Sequence, residues 1–154
     1  MKNILVFDDK PQIRDFLEES LRSETTKLLT YHRVYDVDAY FNTKGFNIDG
    51  IILDIMMPSV GLNDEERKLT NGGVLTGWVW LWKHWISKSM QEHPLKEIPV
   101  IIYTAYEGDY NNYIDNLEPN GPEWAFANSK NVTSIPKNSN DDDTLARMRK
   151  HLDL

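Results

Sequence analysis

Three carboxylates, a hydroxyl and an ammonium stand at the ends of apolar runs, and each is a residue type that can do chemistry. Asp8 and Asp9 follow "NILVF" (Asn3 to Phe7), Asp54 follows "GIIL" (Gly50 to Leu53), Thr104 closes "VIIYT", and Lys137 follows "SIP". A carboxylate carried to the end of a core-forming run must be solvated, paired or bound to a metal, because leaving it buried and alone is too costly. If the three acids converge, their repulsion must be relieved by a raised pKa or by a cation, and a hard divalent ion is the simpler answer. Mg²⁺ takes oxygen ligands and keeps waters, so two carboxylates, a backbone carbonyl and phosphate-replaceable waters would satisfy it. Thr104 and Lys137 would complete an oxyanion clamp around a carboxylate nucleophile, which is what phosphoryl transfer asks for. Taken singly, each residue has a plainer reading: the acidic pair as a turn, Asp54 as a helix cap, Thr104 as a strand-end hydroxyl, Lys137 as a solvated loop cation.

The convergence depends on the elements. Asn3 to Phe7 is continuous rather than alternating in hydrophobicity, which suits a strand buried on both faces. Pro11 then fits the first turn of a helix with Ile13, Phe16, Leu17 and Leu21 inward and Arg14, Asp15, Glu18 and Glu19 toward water. Lys27 to Tyr31 reads as a second strand, Asp36 to Phe41 as a short helix, Gly50 to Leu53 as a third strand, Val100 to Tyr103 as a fourth and Val132 to Ile135 as a fifth. Asp141 to Asp143 cap a last helix carrying Leu145, Met148 and Leu152 on one stripe. Alternation of this kind demands parallel pairing and right-handed crossovers, hence an α/β doubly wound open sheet with helices on both faces. Ligands of such sheets sit at the carboxyl ends of the strands, where the five polar residues gather.

Composition narrows the chemistry. The 154 residues, 40% of them hydrophobic, suit one domain spanning 1–154. A net charge of -7 argues against a nucleic-acid backbone surface. No apolar run is long enough to span a membrane and acids arrive too early for a signal peptide, so a cytoplasmic location is expected. The absence of cysteine excludes disulfides, thiolate catalysis and cysteine zinc sites, and the four histidines have no helical i, i+4 pair.

In order and on this strand pattern, "VFDDKPQIR", "ILDIMMP", "VIIYTA" and "SIPK" resemble the response-regulator receiver domain of bacterial two-component signalling, over nearly the whole chain. The resemblance implies a flavodoxin-like five-stranded parallel sheet of order 2-1-3-4-5. It implies Asp54 as phospho-acceptor, Asp8 and Asp9 as the Mg²⁺-binding pair, the main-chain carbonyl of Met56 as a further metal ligand, and Thr104 and Lys137 as phosphoryl contacts. The expected partners are a histidine kinase or phosphotransfer protein and a separate downstream protein, since no output domain follows the last helix; a homodimer is compatible with the pattern. The only chemistry expected is self-catalysed phosphoryl transfer and dephosphorylation. The sequence is equally compatible with a receiver cut from a longer regulator.

Four departures from the family pattern bear on that expectation. Ser59 to Gly73, "SVGLNDEERKLTNGG", is a polar insertion beside Asp54, either a lid or a decoration. Pro136 precedes Lys137 where the family has lysine before proline, which puts the ammonium's position in question. Ser134 occupies the switch position usually held by Tyr or Phe, so no aromatic ring can couple to Thr104 from there. Residues 118–131 form an extended link into the fifth strand and carry Trp124 and Phe126, read as core cover or as a partner surface.

On a helical wheel through "VLTGWVWLWKHWISKSM", Val74, Leu75, Trp78, Val79, Leu81, Trp82, Trp85, Ile86 and Met90 fill one arc. Trp80 lies opposite and is the expected exposed aromatic anchor. Two rival functions remain. A phosphatase of the haloacid-dehalogenase type would need a second aspartate where Met56 stands. A receiver-like scaffold independent of phosphate is favoured by Ser134, the Pro136-Lys137 order and the insertion.

Overall fold

The computed structural model describes residues 1–33, 36, 47–81, 98–106, 131–137 and 142–154. Within them run β1 (Lys2–Phe7), α1 (Pro11–Leu21), β2 (Thr26–Tyr31), β3 (Gly50–Leu53), α2 (Asp64–Leu69), α3 (Thr76–Leu81), β4 (Val100–Thr104), β5 (Val132–Pro136) and α4 (Asp142–Leu152). The strands form one sheet of order β2-β1-β3-β4-β5, every neighbour parallel. β1 lies between β2 and β3, with Phe7 opposite both Tyr31 and Leu53. β4 joins β3 with Ile102 opposite Leu53, and β5 joins β4 with Pro136 opposite Thr104.

Both sheet faces are covered, which is why β1, β3 and β4 are apolar at successive positions. Leu5, Phe7, Ile51, Leu53, Val100 and Ile102 pack with Trp78, Val79 and Trp80 of α3. Ile4, Val6, Ile52, Ile101, Tyr103 and Ile135 pack on the other face with Leu17 and Leu21 of α1 and Met148 and Leu152 of α4. Pro11 does open α1, where its missing N–H costs nothing. The short helix expected over Asp36 to Phe41 lies outside the described residues, apart from Asp36.

The 59–73 segment holds an element the periodicity did not reveal. Asn63 and Glu66 form a reciprocal capping box that starts α2: the Glu66 N–H donates to Asn63 Oδ1 (2.8 Å) and the Asn63 N–H to Glu66 Oε2 (2.9 Å). Acids in its first turn and Arg67 and Lys68 in its last complement the helix dipole. Buried Leu62 and Thr70 tie the segment down; Thr70 Oγ1 donates to the Arg67 carbonyl (2.8 Å) and accepts from the Gly73 N–H (3.0 Å). None of the described helices is long and apolar enough to cross a membrane.

Trp80 corrects the wheel. It is fully buried rather than exposed, its ring edge-on to Phe7 with centroids 5.3 Å apart. The wheel assumes a helix with one wet side, whereas every residue of α3 is buried. The cause is Gly77, whose missing side chain lets α3 press onto the turn after β3: a Cβ there would lie 1.9 Å from the Asp54 carbonyl oxygen. Trp82, Trp85, Ile86 and Met90 fall outside the described residues, as do Trp124 and Phe126.

Candidate functional site

Parallel pairing brings the carboxyl ends of β1, β3, β4 and β5 together, and with them Asp8, Asp9, Asp54, Thr104 and Lys137. The ladders continue one residue past the strands. The Asp8 N–H donates to the Tyr31 carbonyl (3.1 Å), the Asp54 N–H to the Phe7 carbonyl (2.8 Å) and the Lys137 N–H to the Thr104 carbonyl (3.0 Å). These bonds fix the backbone from which each functional side chain springs.

Asp8, Asp9 and Asp54 each offer a carboxylate oxygen within 4.8 Å of the other two. Lys137 bridges two of them, its Nζ 2.5 Å from Asp8 Oδ2 and 2.5 Å from Asp54 Oδ2. The side chains of Lys137, Asp8 and Asp54 are only 4%, 3% and 2% exposed, so this is a buried cluster rather than a surface ion pair. The Pro136-Lys137 order therefore does not keep the ammonium from reaching Asp8 and Asp54. The chain extends one ladder bond beyond Pro136, and the long side chain passes over the Tyr103 ring (5.5 Å to its centroid) to reach the carboxylates.

The remaining oxygens have distinct partners. Asp8 Oδ1 accepts from the Lys10 N–H (2.9 Å) and Asp54 Oδ1 from the Met56 N–H (3.1 Å), so the Met56 backbone sits against the Asp54 carboxylate with its side chain exposed. Asp9 Oδ1 is buried with no hydrogen-bond partner. Thr104 is buried and its hydroxyl accepts from the Tyr106 N–H (3.2 Å). Ser134 is exposed on β5 opposite Ile102.

Burial pushes the Asp8 carboxyl above the ordinary value of 3.8, and the Lys137 ammonium offsets part of the rise. A group whose pKa is raised by folding contributes stability that is full below the unfolded value and is lost as pH climbs through the folded one. Asp8→Asn stays uncharged throughout. In metal-free buffer it is therefore expected to melt above wild type at pH 7, with the gap closing as pH is lowered toward 4; thermal melts across that range check it.

Lys137 has the opposite sign. Removing it leaves three crowded acids with no counter-charge, so Lys137→Met is expected to lower stability by about 2 kcal/mol in metal-free buffer. Because a ligand that binds only the folded state stabilises by mass action, millimolar Mg²⁺ is expected to recover much of that loss in urea titrations.

The donor set fits a hard divalent cation. The side-chain ligands on offer are all carboxylate oxygens, one of them (Asp9 Oδ1) is buried and unsatisfied, and three carboxylates against one ammonium leave a charge of two to be neutralised.

Two contributors escaped the periodicity. Arg14, expected to face water, is half-buried and its Nη1 donates to the Asp8 carbonyl (2.7 Å), tying the first turns of α1 to the acidic pair. An arginine six residues after an acid at a strand end is the signal that was available. Gly77 is the other, since it sets the close approach of α3 to Asp54.

With this geometry in hand, comparison with solved structures identifies the fold. The CheY-like response regulator receiver domain protein from Methanospirillum hungatei superposes with a TM-score of 0.62 at 20% identity, covering 99% of this chain and 94% of that one. The non-phosphorylated receiver domain of HemR from Leptospira biflexa gives 0.62 at 16% identity, over 100% and 96%. NtrX from Brucella abortus gives 0.59 at 19% identity over 98% of this chain, which spans only 27% of that longer protein. No protein-family model and no curated protein matches the sequence. The chain thus has the flavodoxin-like fold of response-regulator receivers, at identities that speak for architecture.

Proposed function

We propose that this protein is a phosphorylation-dependent signalling switch in which Asp54 accepts a phosphoryl group from a histidine kinase or phosphotransfer protein, and which acts through a separate downstream protein. The observation that carries this reading is the convergence of Asp8, Asp9 and Asp54 within 4.8 Å, with Lys137 bridging two of them, at the strand ends of a receiver fold.

In the proposed step an Asp54 carboxylate oxygen attacks phosphorus. The bond from phosphorus to the donor's leaving atom breaks with its electron pair, and Asp54 becomes an acyl phosphate. The Met56 N–H holds Asp54 Oδ1 and so orients the carboxylate. Lys137, already on Asp54 Oδ2, would transfer its contact to a phosphoryl oxygen, and the Thr104 hydroxyl would donate to another. Asp8, Asp9 and Asp54, with the Met56 carbonyl, would hold Mg²⁺, which would supply neutralisation of the charge gathering on the phosphoryl oxygens.

Incubation with acetyl phosphate and Mg²⁺, followed by intact mass measurement, tests the reading. Wild type is expected to gain one phosphoryl group and Asp54→Ala none; equal behaviour of the two refutes it. The Met56 side chain carries no base that could activate a water, so slow self-dephosphorylation is expected. Met56→Asn should shorten the lifetime of the acyl phosphate several-fold in the same assay.

One observation favours a second reading, a receiver-like interaction scaffold that works without phosphate. Ser134 offers no aromatic ring with which to relay the state of Thr104. Under that reading partner binding is the same for wild type and Asp54→Ala.

A further inference from the structure

We propose that Asn71-Gly72, outside the acidic cluster, is a site of spontaneous covalent self-modification, at which the asparagine amide is lost and the main chain is rebuilt through an isoaspartyl link. The placement follows from how α2 ends. Thr70 is its C-cap, and the next residue, Asn71, takes the left-handed conformation (φ 49°) that stops the helix, a position suited to glycine or asparagine. Gly72 and Gly73 follow with φ of 72° and 97°. The helix end thus sets an asparagine directly before the one residue type with no side chain to shield its nitrogen.

Exposure and freedom favour reaction at this peptide. Asn71 and Gly72 are exposed, and a Cβ built on Gly72 would meet nothing within 4 Å, so the link is open to water and to rotation. Among the described residues no hydrogen bond holds the Asn71 side chain or the Gly72 N–H. The other described asparagines lack this combination: Asn3 and Asn47 precede isoleucine, Asn131 precedes valine, and Asn63 is held in its capping box.

In the proposed step the Gly72 main-chain nitrogen gives its proton to water or hydroxide and attacks Asn71 Cγ. The new N–C bond closes a cyclic imide while the Cγ–Nδ2 bond breaks and ammonia leaves; attack within one residue needs no encounter between molecules. Water then opens the imide. Opening at Cγ gives aspartate, whereas opening at the main-chain carbonyl gives isoaspartate, whose peptide link runs through the former side chain and lengthens the main chain by one methylene. Thr70 is tied forward twice, its Oγ1 accepting from the Gly73 N–H (3.0 Å) and its carbonyl from the Leu75 N–H (2.9 Å), and Thr76 Oγ1 donates to the Gly73 carbonyl (2.9 Å). An extra methylene inside that closed turn breaks its register and loosens α2 from the start of α3. The site therefore records the protein's age and converts it into release of the 59–73 segment.

The test incubates the full chain for days in mildly alkaline buffer, without Mg²⁺ or a phosphoryl donor, so that the outcome does not depend on Asp54 chemistry. Peptide mapping by electron-transfer mass spectrometry, which separates isoaspartate from aspartate, is expected to find isoaspartate at position 71 with a mass gain of about 1 Da. Asn120, the other asparagine that precedes a glycine, is read separately in the same map. Gly72→Ala should slow the conversion several-fold, because its methyl crowds the attacking nitrogen, and Asn71→Gln, whose amide carbon lies one methylene too far, should leave position 71 intact. Native trypsin should cut incubated wild type after the exposed Arg67 and Lys68 several-fold faster than fresh protein, while incubated Asn71→Gln keeps the fresh rate. Circular dichroism confirms that each variant is folded. An unchanged Asn71 in the folded chain, equal conversion in Gly72→Ala, or equal tryptic rates before and after incubation overturns the proposal.

Discussion

Gly77→Ala is expected to destabilise the protein by about 3 kcal/mol or more and to abolish Mg²⁺-dependent phosphorylation with it. The added methyl would lie 1.9 Å from the Asp54 carbonyl oxygen, 2.9 Å from its carbon and 3.0 Å from the Ile55 Cα, and all three are backbone atoms that cannot rotate aside. The clash also breaks a specific bond, the Gly77 N–H to the Ile55 carbonyl (2.9 Å), which docks the start of α3 on the turn carrying the acceptor. Gly72→Ala separates this effect from loss of glycine flexibility. Gly72 has φ of +72° and nothing within 4 Å of a built Cβ, so alanine there should cost only about 1 kcal/mol and leave phosphorylation intact. Urea titrations of the two variants, read beside intact mass after acetyl phosphate, check both halves.

Trp80→Ala is expected to cost about 4 kcal/mol, the loss typical of truncating a buried tryptophan. The indole is wholly buried and meets Phe7 in an edge arrangement worth more than its area. Phe7 is the last residue of β1 and directly precedes Asp8, so the cavity opens beneath the acidic pair. A weaker response to Mg²⁺ should accompany the stability loss, and Trp80→Phe, which keeps a ring against Phe7, should recover most of both. Near-wild-type stability of Trp80→Ala would restore the docking role that the helical wheel first assigned to it.

Legibility followed physical cause. β1, β3 and β4 were readable because a strand covered on both faces has to be apolar at every position, and their ends then located Asp8, Asp9, Asp54 and Thr104. β5 was harder: it lies at one edge of the sheet, only Ile135 of its five residues is buried, and Pro136 interrupts the expected lysine position. That Lys137 nonetheless reaches two carboxylates depends on a backbone ladder and a side-chain length that no motif encodes. The wheel misplaced Trp80 because amphipathic periodicity describes a helix resting on a sheet, not one pressed into a backbone turn through a glycine. α2 is a different miss, since Asn63 and Glu66 at capping-box spacing were present in the sequence and were hidden by the polarity of everything around them.

The central claim is that Asp8, Asp9 and Asp54 share one divalent cation so that Asp54 can bond to phosphorus. Beryllofluoride, which occupies a phosphorylated aspartate's place without transfer chemistry, tests this most directly through its ¹⁹F NMR spectrum. A bound signal is expected for wild type with Mg²⁺, and none when Mg²⁺ is withheld or when Asp9→Ala or Asp54→Ala replaces wild type. A bound signal that persists without Mg²⁺, or in the Asp54→Ala protein, would contradict it.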